Sequence, residues 1–375
     1  MFYMTATKQN LIRVGIDGGD FVPGQKVRSG ISRLVDSFVR TLHEYPETRI
    51  QWFYYHFSPK NNKTPILKFV RLPRRFFSSL FVPLALLAQR MDIYLAFSGV
   101  LPSIRIFDKK SIVFLHDFGF FDNPEKYRFP EKMKWQTEYA LFAADRIVVF
   151  SDYIKKQVFE RFPKIKKEKV IRIYPGADHI VDTNTVKKPD YRYFLFVGVI
   201  KPAKNIEELF LRFSMVRKMI KGANFKLVLI GSKERQYFDN LTKTKAYLEN
   251  IDNIVFVEDA TDDELYWYYK HCIALLNVSY EEGFCYPVVE ALHLGCHVVV
   301  NDLALYKEFK SIYRTLHIMK NTDEYIVELV KLSVNNIAFN RKEVTVKAVI
   351  TNKTTQLTWK NFRKDLISVI NTVAS

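Results

Sequence analysis

The chain has 375 residues, of which 48% are hydrophobic and 26% charged, and this composition is typical of a folded protein and excludes a largely disordered one. A chain of this length predicts two domains, each able to bury its own core. The formal net charge is +17, and residues 1–180 contribute +13 of it, with 30 Lys and Arg against 17 Asp and Glu. We therefore expect the first domain to be the basic one.

The sequence favours neither secretion nor a membrane span. Residues 1–10 lack the long apolar core of a secretory leader, and apolar runs such as 81–88 fall far short of the roughly 20 residues that cross a bilayer. We expect a cytoplasmic protein, either free or at the cytoplasmic face of the inner membrane.

Three cysteines occur in the second half, with no C-x-x-C spacing. They are Cys272, Cys285 and Cys296, and an odd number with this spacing predicts neither a disulfide framework nor a zinc site. We interpret all three as small buried side chains, and we expect no metal site.

The first half alternates short apolar runs with helical segments. Leu11–Ile16 predicts a buried strand, residues 17–30 form a loop with four glycines, and Ser29 to Arg33 open an amphipathic helix. This alternation predicts a parallel sheet covered by helices. The further predicted strands are Met91–Phe97, Ser111–Leu115, Arg146–Phe150 and Lys169–Tyr174.

The segment from Arg71 to Arg90 has basic residues at both ends of an apolar stretch. This pattern is typical of a helix that lies in a membrane interface, and it is equally typical of an ordinary core helix. Together with the charge of the first domain it makes an anionic membrane leaflet one expected partner.

A polar stretch, residues 178–190, predicts the linker to a second domain of the same kind. The chain ends in apolar residues at helical spacing between Leu357 and Val373. We predict a first domain at 1–180, a second at 190–355, and a terminal helix at 356–375. The predicted strands of the second domain are Tyr193–Val197, Lys226–Ile230, Asn253–Val257 and Ile273–Leu276.

The most informative segment runs from Ser279 to Val300. Glu282 stands in a Gly-aromatic turn that ends at Pro287, and Glu290 stands on the helix that follows. The free N–H groups at this helix start favour a diphosphate, since the positive end of the helix dipole lies there. An ionised Glu282 can accept hydrogen bonds from sugar hydroxyls, and Glu290 from a ribose diol.

This segment resembles the E-x-x-x-x-x-x-x-E signature of the retaining GT-B glycosyltransferases of family 4. The similarity continues through Gly295 to Asp302, which resembles the family's G-x-P-V-V-x-S-D strand with His297 in place of proline. The resemblance implies an α/β fold of GT-B type. It has two Rossmann-like domains that face a central cleft and a C-terminal helix that crosses back to the first domain.

The resemblance also implies roles for residues elsewhere. The loop from Gly198 to Asn205 is similar to the family's G-x-x-x-P-R-K-N loop and keeps Lys204, while Ala203 replaces the arginine and Lys201 is a substitute cation. We predict three catalytic residues, namely His116, Lys204 and Glu282. The predicted donor-binding residues are Gly30, Gly198, Lys204, Ser232, Gly283, Phe284, Cys285, Tyr286 and Glu290.

The resemblance implies an enzyme that moves a sugar, with retention, from a nucleotide-diphosphate sugar to a glycan or a lipid-linked acceptor in surface polysaccharide assembly. No cofactor or metal is expected, and Asp262 and Asp263 are interpreted as a pair that caps a helix rather than a metal motif. Two alternatives stay open. One is an inactive GT-B partner subunit, and the other is a basic nucleic-acid-binding protein, although no nucleic-acid motif accompanies the charge.

Overall fold

A computed structural model describes the protein over residues 11–24, 29–59, 64–102, 110–181, 191–220, 222, 224–338 and 357–375. The prediction that residues 1–10 hold no leader lies outside these ranges, as do most of the predicted linker and the end of the predicted second domain. The predicted domain boundaries therefore stay predictions. No helix in the described ranges is long and apolar enough to cross a membrane.

The first domain is built on a parallel sheet of seven strands in the order β3-β2-β1-β4-β5-β6-β7. Its central strands are buried on both faces, as expected for a parallel sheet between helices. The strands are β1 Ile12–Gly19, β2 Ile50–His56, β3 Leu67–Arg71, β4 Ile93–Ala96, β5 Lys110–Leu115, β6 Arg146–Val149 and β7 Val170–Arg172.

Helices cover both faces of this sheet. The helix after β1 packs on one face, and the second, fourth and fifth helices share an apolar cluster on the other. The first helix begins where the sequence predicts, because Ser29 caps it with a reciprocal bond to Ser32. The helices are α1 Gly30–Glu44, α2 Val82–Ala88, α3 Gly119–Asp122, α4 Pro130–Ala143 and α5 Asp152–Arg161.

The second domain repeats the design with six parallel strands in the order β10-β9-β8-β11-β12-β13. Its strands are β8 Arg192–Val197, β9 Phe225–Ile230, β10 Ile254–Val257, β11 Leu275–Asn277, β12 Val298–Asn301 and β13 Leu316–Met319. Its helices are α6 Ile206–Met219, α7 Arg235–Leu241, α8 Lys245–Leu248, α9 Asp262–His271, α10 Tyr286–His293, α11 Ala304–Lys310 and α12 Thr322–Ala338.

The last helix, α13 (Trp359–Ala374), returns to the first domain. The Ala177 N–H donates to the Leu357 carbonyl over 3.0 Å, and Phe362 meets Phe38 of α1 edge to face at 6.1 Å between ring centroids. Two Rossmann-like sheets and a helix that crosses back confirm the GT-B prediction.

Three strands were not predicted from the sequence: β2, β3 and β13. In β2 the polar hydroxyls of Tyr54 and Tyr55 obscure the apolar pattern, yet both side chains are buried and donate to the Phe21 carbonyl and the Gln89 side chain. The other two are short edge strands with polar side chains, as is usual at a sheet edge.

Two local predictions need correction. The predicted strand from Lys169 to Tyr174 is a short strand preceded by a 3₁₀ turn at Lys167–Lys169. The N-cap of α9 is Thr261, which forms a capping box with Glu264, so Asp262 and Asp263 are not the capping pair. The three cysteines are buried, as predicted.

Candidate functional site

A cavity of about 500 Å³ lies between the two domains. It opens at the carboxyl ends of the strands, where parallel sheets collect ligands. All of the predicted site residues line it, namely Gly30, His116, Gly198, Lys204, Ser232, Gly283, Phe284, Cys285, Tyr286, Glu282 and Glu290. Their individual roles stay predictions, but the structure brings them together in one place.

The cavity contains a buried ion pair between Lys204 and Glu282. Lys204 ends a 3₁₀ turn that follows β8, and its Nζ lies 2.5 Å from Glu282 Oε1. Glu282 also accepts hydrogen bonds from Ser279 Oγ at 2.7 Å and from Asn277 Nδ2 at 3.3 Å. The amide of Asn277 is fixed in this orientation because its oxygen accepts from the Ser279 N–H and the Tyr306 hydroxyl.

Both members of this pair keep their charge. Burial opposes ionisation of Glu282, but the Lys204 ammonium and the two neighbouring hydrogen bonds hold its pKa below the usual value. Burial likewise opposes the charge of Lys204, and Glu282 raises the pKa of its ammonium above the usual value. The cavity therefore holds a fixed cation and a fixed anion side by side over a wide pH range.

Lys201 is a second lysine in the cavity lining. Burial, followed by the nearby Lys204 charge, lowers the pKa of its ammonium. Ala203, which stands where the resembled family has arginine, is itself buried and presents no charge. A second cation is therefore supplied by a neighbouring position of the same loop.

The turn before α10 brings a helix N-terminus to the cavity. Cys285 is its N-cap, with φ of 59°, a left-handed conformation that ordinarily favours glycine, and Pro287 follows in the first turn. No side chain in the described ranges caps this helix. Burial raises the pKa of the Cys285 thiol far above its usual value, so the thiol stays protonated and is no nucleophile.

Glu290 of α10 is held by two side chains that the sequence did not single out. Its Oε2 accepts from the Tyr269 hydroxyl at 2.7 Å, and its Oε1 lies 3.0 Å from His179 Nε2. The second ring nitrogen of His179 defines its tautomer. The Trp359 indole N–H donates to Nδ1 over 3.0 Å, so Nδ1 is the acceptor and Nε2 carries the proton. His179 thus links α10 to the terminal helix.

Arg33 of α1 forms a bidentate ion pair with Asp262 of α9, at 2.6 and 2.9 Å. Arg33 also lines the cavity, close enough to Glu290 for the two charges to interact. Burial opposes the ionisation of Asp262, yet the hydrogen bonds and charge of Arg33 hold its pKa below the usual value. A charged contact between the domains therefore lies at the rim of the cavity.

His116 follows β5, and its Nε2 lies 2.7 Å from the Phe97 carbonyl. A carbonyl only accepts, so Nε2 carries a proton. Burial lowers the pKa of the imidazole, and in its neutral form Nδ1 therefore carries a lone pair. Gly283 of the second domain approaches the same residue so closely that an added Cβ would lie 1.5 Å from the His116 carbonyl oxygen.

A carboxylate of the second domain accepts hydrogen bonds from the first N–H groups of a helix in the first domain. Glu308 of α11 accepts from the backbone N–H groups of Asp152 and Tyr153 at the start of α5, and from the Tyr174 hydroxyl at 3.1 Å. Beside it, the Ser151 hydroxyl donates to the Gly283 carbonyl over 2.8 Å. These contacts hold the two domains closed around the cavity.

The first domain lines the other side of the cavity with a mixed surface. Its side chains include Phe120, Tyr127, Met133, Gln136 and Thr137, the last three from α4. The described part of the chain contains no group of three His, Cys, Asp or Glu residues placed to hold a metal ion.

Residues that the sequence missed are those whose partners lie far along the chain. Arg33, His179 and Tyr269 are single polar residues in helices or loops, and no local spacing distinguishes them. The only signal for Arg33 was its position in the first turn of the helix after the glycine loop.

Comparison with known proteins agrees with this architecture. Residues 181–340 match the family model described as glycosyl transferases group 1. The O-antigen chain mannosyltransferase RfbU of Salmonella typhimurium is 23% identical over 207 residues, which cover 53% of this chain and 54% of RfbU. The chain thus spans about half the length of this curated relative.

Solved structures are similar over nearly the whole chain. Anabaena Alr3699/HepE, solved with UDP and glucose, gives a TM-score of 0.67 at 14% identity and covers 96% of this chain and 99% of its own. Sucrose-phosphate synthase from Thermosynechococcus elongatus gives 0.66 at 15% identity and covers 97% and 96%. The described parts of the chain therefore have the GT-B fold, and residues 181–340 are similar to the glycosyl transferases group 1 family.

Proposed function

We propose that the protein is a retaining, metal-independent glycosyltransferase. It moves a sugar from a nucleotide-diphosphate donor, held by the second domain, to a glycan or lipid-linked acceptor at the first. The reaction belongs to surface polysaccharide assembly, an assignment supported by the similarity to an O-antigen chain mannosyltransferase. We expect the protein to act in the cytoplasm, at the inner face of the membrane.

The observation that carries this proposal is the Lys204–Glu282 pair beside the N-terminus of α10. Breaking a glycosyl phosphate bond leaves negative charge on the departing diphosphate, so the site must chiefly stabilise that group. The ammonium of Lys204 and the positive end of the α10 helix dipole supply this stabilisation, and Lys201 adds a second cation. No step of this scheme needs a metal ion.

Glu282 is the sugar-binding group in this proposal. Only one of its oxygens meets Lys204, and an ionised carboxylate has about four acceptor sites, so sugar hydroxyls can donate to those that remain. The neutral His116 presents Nδ1 from the opposite wall, where its lone pair accepts a hydrogen bond from a further sugar hydroxyl. Neither residue serves as a covalent nucleophile, because the acceptor attacks on the face that the diphosphate leaves.

Closure supports the transferase function in a second way. The Gly283 backbone lies against that of His116, and Glu308 joins α11 to α5, so the cavity is walled by both domains. A closed cavity excludes water, which would otherwise hydrolyse the donor.

Nucleotide binding is the first test. Thermal shift with UDP, GDP, ADP, CMP and dTDP should raise the melting temperature for one diphosphate. Lys204→Met should lose the shift, since a charged hydrogen bond to phosphate contributes roughly 1.5–3 kcal/mol, or about tenfold to a hundredfold in affinity. Glu282→Gln should keep it, because the lysine remains. The exposed Lys307→Met is the matched control.

Turnover is the second test, with GDP-mannose as the first donor because the curated relative is a mannosyltransferase. Glu282→Gln should bind nucleotide but release little sugar, and the anomer of the released sugar, read by NMR, should match that of the donor. An inverted anomer contradicts the retaining mechanism.

If no nucleotide binds the wild-type protein, the inactive partner subunit becomes the better assignment, and salt-sensitive binding to RNA or DNA would favour the nucleic-acid alternative.

A further inference from the structure

The segment before and within α2 exposes apolar side chains on the outside of the first domain. Residues Phe77–Ala88 form a π-helical turn that continues into α2, and none of the twelve is charged. One face is buried in the core, for example by Phe77, Val82 and Leu86. The opposite face carries an apolar ridge of four side chains that are 40–56% exposed, namely Phe76, Leu80, Leu84 and Leu87.

This ridge differs from an ordinary surface helix. A helix at the surface of a globular protein normally presents polar side chains to water, and one that is apolar all round is normally buried. Helix α6 of the second domain gives the contrast within the same chain. It also exposes Leu211, Met215 and Met219, but its charged side chains are interspersed with them.

The charges around the two helices also differ. Exposed arginines flank the ridge at Arg71, Arg74, Arg75 and Arg90, and within the described ranges none of the four is in an ion pair. Of the three cations of α6, Arg212 pairs with Glu208 at 2.7 Å and Lys218 with Glu249 at 3.0 Å, while Arg217 donates to the Phe225 carbonyl at 3.1 Å. The four arginines around the ridge therefore remain available to bind an anion.

Helix α4 also exposes apolar side chains on this face of the first domain. It packs in the same layer as α2, on the same face of the sheet, and the exposed side chains in or next to it include Phe129, Trp135 and Phe142. The Arg128 guanidinium lies over the Phe129 ring at 5.1 Å, as that of Arg75 lies over Phe76. The same helix lines the cavity with three other side chains, Met133, Gln136 and Thr137.

We propose that the apolar ridge and its four arginines dock the first domain on an anionic lipid bilayer, with the ridge in the interfacial region and the guanidinium groups at the headgroups. Aromatic and apolar side chains with flanking cations are the groups that favour this interface. This inference deepens the proposed function, because it names the surface that meets the membrane. It rests on the proposed function only for the identity of the acceptor that the membrane carries. A membrane-bound acceptor would then reach the cavity along α4.

The ridge and the arginines contribute separately to the free energy of membrane binding. Each arginine near an anionic surface adds about 1 kcal/mol, which is roughly fivefold in partitioning, so Arg74→Gln/Arg75→Gln should weaken binding about 25-fold. Each half-exposed leucine adds a similar or larger factor. The double variant Leu84→Ser/Leu87→Ser should therefore weaken binding by at least about 25-fold, and without dependence on salt.

The experiment is vesicle co-sedimentation of the full chain, with vesicles of phosphatidylcholine alone and of phosphatidylcholine with phosphatidylglycerol. Met215→Ser/Met219→Ser on α6 is the matched apolar control, and Arg74→Lys/Arg75→Lys preserves charge. We expect the wild type and both controls to bind the anionic vesicles and the two test variants to lose binding. Nucleotide thermal shift on the same variants reports on the donor site independently.

Three outcomes overturn the proposal. The first is unchanged vesicle binding by both test variants, and the second is binding that ignores the anionic lipid. The third is that the wild-type protein binds no vesicle but forms a dimer, and that the ridge variants abolish this dimer. The ridge would then bind a second copy of the chain instead of a membrane. A protein that binds vesicles through the ridge but binds no nucleotide would keep this inference and refute the proposed function instead.

Discussion

Replacing Lys204 by Met should destabilise the second domain and not only its ligand binding. The Lys204 side chain is 20% exposed and that of Glu282 is 9% exposed, so the substitution leaves a carboxylate in a nearly dry site without its cation. Breaking a buried pair in this way costs roughly 3–5 kcal/mol. Because Glu282 keeps its hydrogen bonds from Ser279 and Asn277, we place the cost near the lower limit, at about 3 kcal/mol.

A double-mutant cycle isolates the pair from its surroundings. Glu282→Gln in the Lys204→Met background removes the stranded charge, so the double variant should recover about 2 kcal/mol of the loss. The assay is urea unfolding, with the melting temperature as a second readout. A loss of about 3 kcal/mol should lower that temperature by roughly 6–12 °C if the second domain unfolds as a unit.

The control cycle uses Lys307 and Asp302, whose Nζ and Oδ1 lie 3.0 Å apart on the surface of the same domain. Exposed pairs contribute under about 1 kcal/mol, so this cycle should show little coupling. Equal coupling in the two cycles, or a Lys204→Met variant as stable as the wild type, would refute the reasoning that the site holds a buried and charged pair.

Three further predictions test the closed cavity. Gly283→Ala places a methyl group on the His116 carbonyl, so it should keep nucleotide binding but lose turnover by at least about a hundredfold, and small-angle scattering should show a more open molecule. Glu281, next to Glu282, accepts from the Tyr153 hydroxyl of α5 at 3.3 Å, and burial raises the pKa of its carboxyl group to about 7. The neutral carboxyl group therefore favours folding at a pH below its usual pKa, and this contribution is lost as the pH rises from there to about 7. Glu281→Gln should therefore raise the melting temperature relative to the wild type near pH 8 but not near pH 5, and equal differences would contradict the shift. Trp359→Phe keeps an aromatic ring but removes the donor to His179, so it should cost about 1 kcal/mol in urea unfolding and weaken nucleotide binding; an unchanged nucleotide affinity would separate His179 from the donor site.

Much of the site was predictable because its residues lie at strand ends. Lys204, Glu282 and His116 each follow a short apolar run that could be identified as a strand, and parallel strands bring their carboxyl ends to one edge. The spacing of Glu282 and Glu290 around a proline-started helix added a local signal. Sequence patterns of this kind are sufficient when the strand, the turn and the functional residue are neighbours along the chain.

The partners of these residues were not predictable. No sequence pattern indicated that Lys204 contacts Glu282, 78 positions away, or that Arg33 contacts Asp262, 229 positions away. Asp262 even had a plausible local role as a capping residue, which the structure assigns to Thr261. The contact within the second domain depends on the order of strands in its sheet, and the contact between the domains depends on how two finished sheets face each other. No local periodicity encodes either arrangement.

The two roles of the segment from Arg71 to Arg90 were equally favoured by the sequence, and the structure explains why. Its inner side chains pack in the core while its outer ones face solvent, so the segment has the apolar content of both a core helix and an interfacial one. Composition alone cannot separate two faces of one helix when both are apolar.

The Glu308 contact links the completion of a helix to the position of a domain. Helix α5 has its first backbone N–H groups satisfied by a carboxylate that belongs to the other domain. Each opening of the cavity must therefore return those N–H groups to water, and each closing must desolvate Glu308, whose pKa burial already raises. We infer that Glu308 is one of the contacts between the domains that slow opening, so in the proposed transferase a Glu308 variant that releases product faster should also hydrolyse more donor.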